Sequence, residues 1–249
     1  MSAPWPYPFW IAHRGAGKLA PENTLAAFRL GASHGWRMFE CDAKLSADGV
    51  VILLHDATLQ RTTSGQGTAG DLPWSTLARL DAGSWHSRQY AGEPLPTLEN
   101  VTRFCRASDW LLNIEIKPTP GTDRATGEEV ARVAALCWAQ AAVPPLLTSF
   151  SPKALAGARH AAPHLPRGLL LDGLPEGWLD EARSLDCGAV VNQHTQWTAE
   201  TVEQTQAAGL RALSYTVNEP EAARRLVGFG IDGIITDRID LFAPAARSA

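Results

Sequence analysis

The chain lacks several features that mark common classes of protein. Its 249 residues include only four cysteines, and none of them forms a Cys-x-x-Cys pair. They are Cys41, Cys105, Cys137 and Cys187. This scarcity argues against a disulfide framework or a cysteine zinc site and favours free thiols in a reducing compartment. The formal net charge of −4 argues against general nucleic-acid binding.

Long apolar segments are also missing. No run approaches the roughly 18 residues of a membrane-spanning helix. The N-terminal stretch MSAPWPYPFWIAHRG has neither a basic n-region nor an apolar h-region. We therefore expect a cytoplasmic protein without stable membrane insertion. With 45% hydrophobic residues and no internal repeat, the chain is long enough for one α/β barrel or two small domains, and its length alone does not decide between them.

Short apolar runs alternate with helical patterns along most of the chain. We predict strands at 9–15, 37–45, 50–56, 110–117, 145–150, 167–172, 188–193, 211–217 and 232–237, with helices between most of them. If 50–56 belongs to the second unit, there are eight strand–helix units. This alternation predicts a (β/α)8 TIM barrel formed by the single domain 1–249.

Local signals refine two parts of this prediction. Asn23 is placed to cap a helix over 23–35, and Gly35 is placed to end it. Asp48-Gly49 is a turn signal, so the second and third predicted strands should form a hairpin or an extended arm. Residues 57–97, rich in Gly, Ser, Thr and Pro, predict a small insertion after the second barrel strand, and the helix-like WSTLARLDAG within it favours order.

Charged side chains gather at the predicted strand ends, where barrel enzymes have their active sites. Glu40 and Asp42 share one face of their strand, and Glu115 and Lys117 share a face of another. His13-Arg14 ends the first strand, and His55 ends the third. Any one of these residues could be a simple salt-bridge partner. The whole set is much harder to explain by structure alone.

The chemistry of this set is specific. Three converging carboxylates raise one another's pKa unless a cation lies between them, and oxygen ligands suit Mg²⁺ or Ca²⁺. Arg14 and Lys117 offer positive charge to a phosphate that also touches the metal. Two histidines can act as base and acid at neutral pH. Together these groups predict phosphodiester cleavage.

Two other features carry less weight. Gly15-Ala16-Gly17-Lys18 has the wrong spacing for a P-loop, and Leu19 stands where Ser or Thr is required. His86 lies in the insertion within reach of the barrel mouth, although a surface position is the simpler interpretation.

Seven motifs occur along the chain in a fixed order: HRGAGKLAPENT, ECDAKLSADG, HDATLQRTTSGQG, IEIK, TSFSP, YTVN and DGIITD. In order and spacing, over about residues 10–240, they resemble the glycerophosphodiester phosphodiesterases, in particular the cytoplasmic bacterial type. The resemblance implies hydrolysis of substrates such as glycerophosphocholine or glycerophosphoethanolamine to glycerol 3-phosphate and an alcohol. It also implies a barrel with a small insertion after the second strand.

The resemblance further implies roles for individual residues. Glu40, Asp42 and Glu115 would be ligands of one divalent cation, Mg²⁺ or Ca²⁺, with Mn²⁺ as a third candidate. His13 and His55 would be the general acid/base pair.

On the substrate side, Arg14 and Lys117 would hold the phosphate. Tyr215 stands where the family often has Trp, and Lys18 stands where a small or polar residue is usual. We therefore assign both to the substrate pocket, with Lys18 near the leaving group. Arg238 replaces a frequent Pro.

Several alternatives stay open. The same residues would serve a barrel phosphodiesterase acting on lysophospholipid head groups, with the Trp-rich N-terminus and insertion forming an apolar rim. A non-catalytic phosphate-binding barrel would have lost a histidine or a metal carboxylate, and a phosphosugar isomerase needs no three clustered carboxylates. The sequence does not choose between water and the glycerol 2-hydroxyl as nucleophile, or between a monomer and a homodimer.

Overall fold

The computed structural model describes residues 5–242 and residue 244, and these form nine β-strands and eight α-helices. The strands are β1 (Trp10–Ala12), β2 (Met38–Leu45), β3 (Val51–Leu53), β4 (Leu111–Ile116), β5 (Leu146–Ser149), β6 (Arg167–Leu171), β7 (Ala189–Gln193), β8 (Arg211–Tyr215) and β9 (Gly233–Thr236). The helices are α1 (Leu25–Ser33), α2 (Trp74–Leu77), α3 (Leu98–Arg106), α4 (Asp123–Cys137), α5 (Pro152–Ala161), α6 (Trp178–Ser184), α7 (Ala199–Ala207) and α8 (Pro220–Gly228).

Eight of the strands close into a parallel barrel. The order runs β1-β2-β4-β5-β6-β7-β8-β9, and β9 pairs with β1 through Trp10 opposite Ile234 and Ala12 opposite Thr236. The pairing of Ala12 with Phe39 joins β1 to β2 and completes the ring. This closure, with helices between the strands, confirms the predicted (β/α)8 TIM barrel.

The remaining strand, β3, is an antiparallel addition to β2. Ala43 lies opposite Leu53 and Leu45 opposite Val51, and the connecting turn contains Gly49 in the left-handed region at φ +82°. The predicted hairpin is confirmed. The hairpin extends beyond Asp42, and β3 runs back only to the level of that residue, where the Leu54 N–H donates to the Asp42 carbonyl at 3.0 Å. His55 therefore lies at the carboxyl-terminal end of the barrel.

The insertion that follows β3 is ordered by an apolar cluster of its own. Ile52, Leu59, Leu77 and Leu95 are almost completely buried together. Helix α2 and two 3-10 turns complete the segment. The segment therefore packs as a small extension of the barrel wall, as the WSTLARLDAG pattern favours.

The barrel interior changes from apolar to charged along the strands. Its apolar layers include Ile11, Met38 and Leu213, which belong to one buried cluster. Further along β2 and β4, Glu40 lies opposite Asn113 and Asp42 opposite Glu115. Since both strands are parallel and their side chains alternate, these polar groups all collect at the carboxyl-terminal end of the barrel.

The start of α1 differs from the prediction. The cap is Thr24, whose side-chain oxygen accepts a hydrogen bond from the backbone N–H of Ala27 at 3.2 Å. Asn23 cannot act as the cap because it lies one residue earlier in the left-handed region, at φ +61°, and its side chain binds Asp42. Gly35 follows the helix at φ +88°, as expected of a terminating glycine.

Two further points concern the chain as a whole. The four cysteines form no disulfide. No helix within residues 5–242 is both long enough and apolar enough to cross a membrane.

Candidate active site

A cavity of about 310 Å³ opens at the carboxyl-terminal end of the barrel. Seven of the nine predicted site residues line it: His13, Arg14, Glu40, His55, Glu115, Lys117 and Tyr215. Asp42 lies behind the cavity wall and is completely buried. Lys18 does not line this cavity.

Three buried carboxylates form the centre of the site. Glu40 and Asp42 come from β2 and Glu115 from β4, and one oxygen atom from each lies within 4.8 Å of the others. Burial raises the pKa of Glu40 well above its usual range, and the Asp42 and Glu115 charges add to this. Burial, reinforced by Asp42, raises the pKa of Glu115 to about 7. These shifts reflect the loss of solvent around the carboxylates first, and the repulsion among the three acids second.

The carboxylates fit a hard divalent cation. Glu40 Oε1 and Asp42 Oδ1 are buried and accept no hydrogen bond from the described part of the chain. Burial alone would raise the pKa of Asp42, but Arg14 and Lys117 hold it below its usual value. An ionised oxygen without a donor is costly in a protein interior, and a cation between the three acids would satisfy it. An all-oxygen set favours Mg²⁺ or Ca²⁺ over softer metals.

Arg14 is held against the acids by the turn that follows β1. Its backbone N–H donates to Glu40 Oε2 at 3.0 Å, and its guanidinium lies 3.2 Å from Asp42 Oδ2 and donates to Glu22 Oε1 at 2.8 Å. Its φ of +50° is unusual for a residue with a side chain, and such strain concentrates at functional sites. The backbone is therefore bent in a way that brings the guanidinium to the cavity.

Lys117 supplies a second cation across the cavity. Its Nζ lies 2.7 Å from Glu115 Oε1 and 3.9 Å from Asp42 Oδ1. The same ammonium lies 5.3 Å from the ring centre of Phe150, which is within the range of a cation–π contact. Two cationic side chains, one from the loop after β1 and one from the loop after β4, thus line one cavity, an arrangement that suits an anionic ligand.

His13 is oriented by Asp237, which follows β9. The Nδ1 atom lies 2.6 Å from Asp237 Oδ1, and Asn218 donates to the other carboxylate oxygen at 2.9 Å. Burial opposes the ionisation of Asp237, but the hydrogen bonds from His13 and Asn218 hold its pKa below the usual value. An ionised Asp237 can only accept, so Nδ1 carries a proton and Nε2 is left for chemistry. That Nε2 atom lies 3.7 Å from Glu40 Oε2.

His55 has a similar arrangement. Its Nδ1 atom lies 2.7 Å from Asp56 Oδ1, and Arg61 donates to Asp56 Oδ2 at 2.6 Å. The hydrogen bond from Arg61 holds the pKa of Asp56 far below its usual range. Burial lowers the pKa of His55 itself. The two histidines therefore share one design, in which a carboxylate fixes Nδ1 and the ring presents Nε2.

The turn at residues 21–24 holds these groups in place. Asn23 donates to Asp42 Oδ2 at 2.8 Å and accepts from the Asp42 backbone N–H at 3.0 Å. Glu22 accepts from Arg14 on one side and from Arg61 on the other. Both side chains thus connect the first loop of the barrel to the second strand and the insertion.

Sequence reasoning missed several supporting residues. Asp237 and Asp56 are among them. Asp237 directly follows β9, and Asp56 directly follows His55 in the loop after β3, so both lie near strand ends as His13 and His55 do. Lys44 alternates with Glu40 and Asp42 on the inner face of β2, so the same periodicity could have identified it. Its Nζ donates to the backbone carbonyls of His55 and Asp56, at 3.1 Å to the former, and burial lowers its pKa to about 8.

The two residues assigned to the substrate pocket lie in different places. Tyr215 lines the main cavity, meets Phe150 edge-on at 5.7 Å and donates its hydroxyl to the Leu171 carbonyl at 2.9 Å. Lys18 is exposed and lines a neighbouring cavity of about 290 Å³ together with His86. His86 is half-buried, and its Nε2 lies 3.0 Å from the Lys18 carbonyl oxygen, so the ring contacts the first loop and is not a free surface group.

Comparisons with known proteins all indicate the same family. Residues 13–241 match the glycerophosphoryl diester phosphodiesterase family. The chain is 35% identical to a glycerophosphodiester phosphodiesterase of Caldanaerobacter subterraneus, over 91% of this chain and 93% of the relative.

Solved structures agree. An Oleispira antarctica phosphodiesterase in complex with the product sn-glycerol-3-phosphate superposes with a TM-score of 0.86 at 33% identity, covering 92% of this chain and 93% of that one. A glycerophosphodiester phosphodiesterase of Agrobacterium tumefaciens gives 0.82 at 29% identity, covering 95% and 99%. The chain therefore belongs to the glycerophosphoryl diester phosphodiesterase family, which confirms the prediction of an enzyme of this class.

Proposed function

We propose that the chain hydrolyses glycerophosphodiesters such as glycerophosphocholine and glycerophosphoethanolamine to glycerol 3-phosphate and an alcohol, using a divalent metal and a pair of histidines. One observation carries this proposal: two histidines, each fixed at Nδ1 by a carboxylate, line the same cavity as Glu40 and Glu115, which cluster with the buried Asp42. The Oleispira antarctica relative was solved with sn-glycerol-3-phosphate as its product, which supports the same product here.

The acids would hold the metal. Glu40, Asp42 and Glu115 would be the ligands of one Mg²⁺, Ca²⁺ or Mn²⁺ ion. When bound, the ion supplies positive charge that stabilises the negative charge developing on the phosphate in the transition state. Without an ion, the pKa shifts of Glu40 and Glu115 keep part of this cluster protonated near neutral pH.

The remaining residues bind the phosphate and move protons. Arg14 and Lys117 bind the non-bridging phosphate oxygens. One of His13 and His55 takes a proton from the nucleophile at Nε2, and the other gives a proton to the oxygen of the leaving alcohol. The nucleophile is either water or the glycerol 2-hydroxyl, and the latter gives a cyclic phosphate that water then opens. Detection of the cyclic product distinguishes the two.

The substrate arms fall on either side of the phosphate. Tyr215 and Phe150 form an aromatic wall of the main cavity, which suits the carbon skeleton of glycerol. Lys18 lies outside this cavity, on the side we assign to the leaving alcohol.

The proposal is tested with metal-stripped protein. Release of glycerol 3-phosphate from glycerophosphocholine and glycerophosphoethanolamine is measured as Mg²⁺, Ca²⁺ or Mn²⁺ is added back singly. We expect metal-dependent release, abolished in His13→Ala and His55→Ala but retained in His160→Ala, which changes an exposed histidine on α5. No release with any ion from folded protein overturns the reaction. Substantial activity in either site variant overturns that histidine's role.

A second candidate, cleavage of lysophospholipid head groups, has one observation in its favour. Phe150 and Trp85, which line the two cavities, are 42% and 40% exposed and offer apolar surface to a lipid chain. The N-terminal part of the expected rim is not there, because Trp5 packs against Tyr7 near Pro144, at the opposite end of the barrel. Choline release from lysophosphatidylcholine, measured beside the glycerophosphodiester assay, compares the two candidates.

A further inference from the structure

The insertion and the first loop enclose a second cavity beside the active site. Its volume is about 290 Å³, and its wall includes Lys18 from the loop after β1 and Trp85 and His86 from the insertion. His13 and Arg14 line both this cavity and the main one. The two spaces therefore meet at the residues to which the proposed function assigns the phosphate and a proton transfer.

A phosphodiester has one phosphorus atom and two ester arms. If the phosphate lies at His13 and Arg14, the two arms have one cavity each. The main cavity offers an aromatic wall for glycerol, which leaves the second cavity for the other arm. We propose that the second cavity is the subsite of the leaving alcohol, and that it favours head groups with hydroxyl or anionic groups over a trimethylammonium group. This inference rests on the proposed function.

The charges in the wall give the subsite this preference. Two carboxylates line it, but both are already engaged. Glu22 accepts three N–H groups from Arg14 and Arg61, and the two oxygens of Asp237 accept from His13 and Asn218.

Unlike the two acids, Lys18 has no side-chain partner among the residues of the cavity wall that the structure describes. It is exposed and forms no ion pair within the described residues, although its charge helps to lower the pKa of Asp237, so its ammonium can still bind a ligand. A hydroxyl or carboxylate on the head group can accept a hydrogen bond from it, whereas a quaternary ammonium has no acceptor and carries the same charge.

The aromatic part of the wall is fixed by the insertion. The Trp85 indole N–H donates to the Ala82 carbonyl at 2.8 Å, and its ring meets His86 edge-on at 5.6 Å. His86 in turn contacts the Lys18 carbonyl oxygen. An exposed indole face can attract a quaternary ammonium, which is the force that opposes the Lys18 charge. On the proposal, the repulsion from Lys18 outweighs this attraction.

The experiment compares kcat/KM for glycerophosphoglycerol, whose leaving alcohol is glycerol, with kcat/KM for glycerophosphocholine. It uses the wild type with its metal, Lys18→Glu and Lys18→Ala. Arg103→Glu is the matched control, because it makes the same charge change on an exposed residue of α3 outside both cavities. The assay is run at low and high salt, since a surface charge effect weakens with ionic strength.

We expect the wild type to prefer glycerophosphoglycerol. Lys18→Glu should lower the preference ratio by roughly fivefold, the upper end of what an exposed charge pair contributes, because the substitution reverses the charge. Lys18→Ala should lower it by less, and Arg103→Glu should leave it unchanged. A wild-type preference for glycerophosphocholine, or a ratio that Lys18→Glu does not move, overturns the subsite while leaving the proposed function intact. No release of glycerol 3-phosphate from either substrate overturns both.

Discussion

Replacing Glu115 by Gln is expected to stabilise the metal-free protein above neutral pH. Glu115 is only 9% exposed and faces Asp42 across the β2–β4 pair. Burial and the Asp42 charge raise its pKa to about 7 in spite of its ion pair with Lys117. Without a cation, the folded protein must therefore hold a carboxylate where its charge is unfavourable. Gln keeps the shape and removes that charge.

The size of the effect follows from the pKa. The group moves from 4.5 to about 7 on folding. Between these two values the folded state binds more protons than the unfolded state, so stability falls as the pH rises through this window. At about 1.4 kcal/mol per unit, the ionised side chain costs about 3 kcal/mol above the window. For a chain of this size that corresponds to roughly 6–12 °C in Tm.

The assay is thermal unfolding in a chelating buffer at pH 5 and at pH 8. Glu115→Gln should melt higher than the wild type at pH 8 and close to it at pH 5, and Glu99→Gln, at an exposed position, should behave as the wild type. Added Mg²⁺ or Mn²⁺ should then raise the Tm of the wild type but have little effect on Glu115→Gln. The reasoning is refuted if Glu115→Gln is the less stable protein at pH 8 without metal.

Two further predictions concern Asp56, the partner of His55, and Gly17 in the loop after β1. Asp56→Asn should lower kcat by roughly tenfold, because the charge-assisted hydrogen bond to His55 becomes a neutral one. The control Asp240→Asn changes an exposed residue and should leave kcat unchanged. An unchanged kcat in Asp56→Asn would count against the role of Asp56. Gly17→Ala should cost more than about 2 kcal/mol by denaturant unfolding, because a Cβ would lie 2.0 Å from the Asp237 carbonyl oxygen. Gly49→Ala, also at positive φ but with nothing within 4 Å, should cost about 1 kcal/mol; equal losses would refute the clash.

The sequence predicted those parts of the site that follow from strand periodicity. Glu40 and Asp42 alternate within one strand, so their shared face is a local property of the chain, and the register then places Asp42 beside Glu115. The hairpin was also local, since Asp48-Gly49 specifies a tight turn whatever surrounds it.

The contacts that sequence reasoning missed depend on the closed barrel. His13 and Asp237 are 224 residues apart and meet only because β9 pairs with β1. No local sequence pattern spans that separation, so the pairing could not be predicted from the sequence. At Asn23 a local rule gave the wrong answer, since the residue is a good helix cap but forms two hydrogen bonds with Asp42 instead. A buried carboxylate such as that of Asp42 needs hydrogen-bond donors and has few within reach. The helix end has another cap available, since Thr24 can take that role in place of Asn23.

The insertion helps to hold the candidate site together, because Arg61 near its start contacts two other parts of that site. Arg61 donates to Glu22 and to Asp56, so one guanidinium connects the partner of Arg14 with the partner of His55. A segment that only covered the barrel mouth would need neither contact. Since the same insertion also supplies the wall of the second cavity, a change in its fold reaches both the orientation of His55 and the space beside Arg14. Under the proposed mechanism, the insertion would therefore link the choice of leaving alcohol to the geometry of proton transfer.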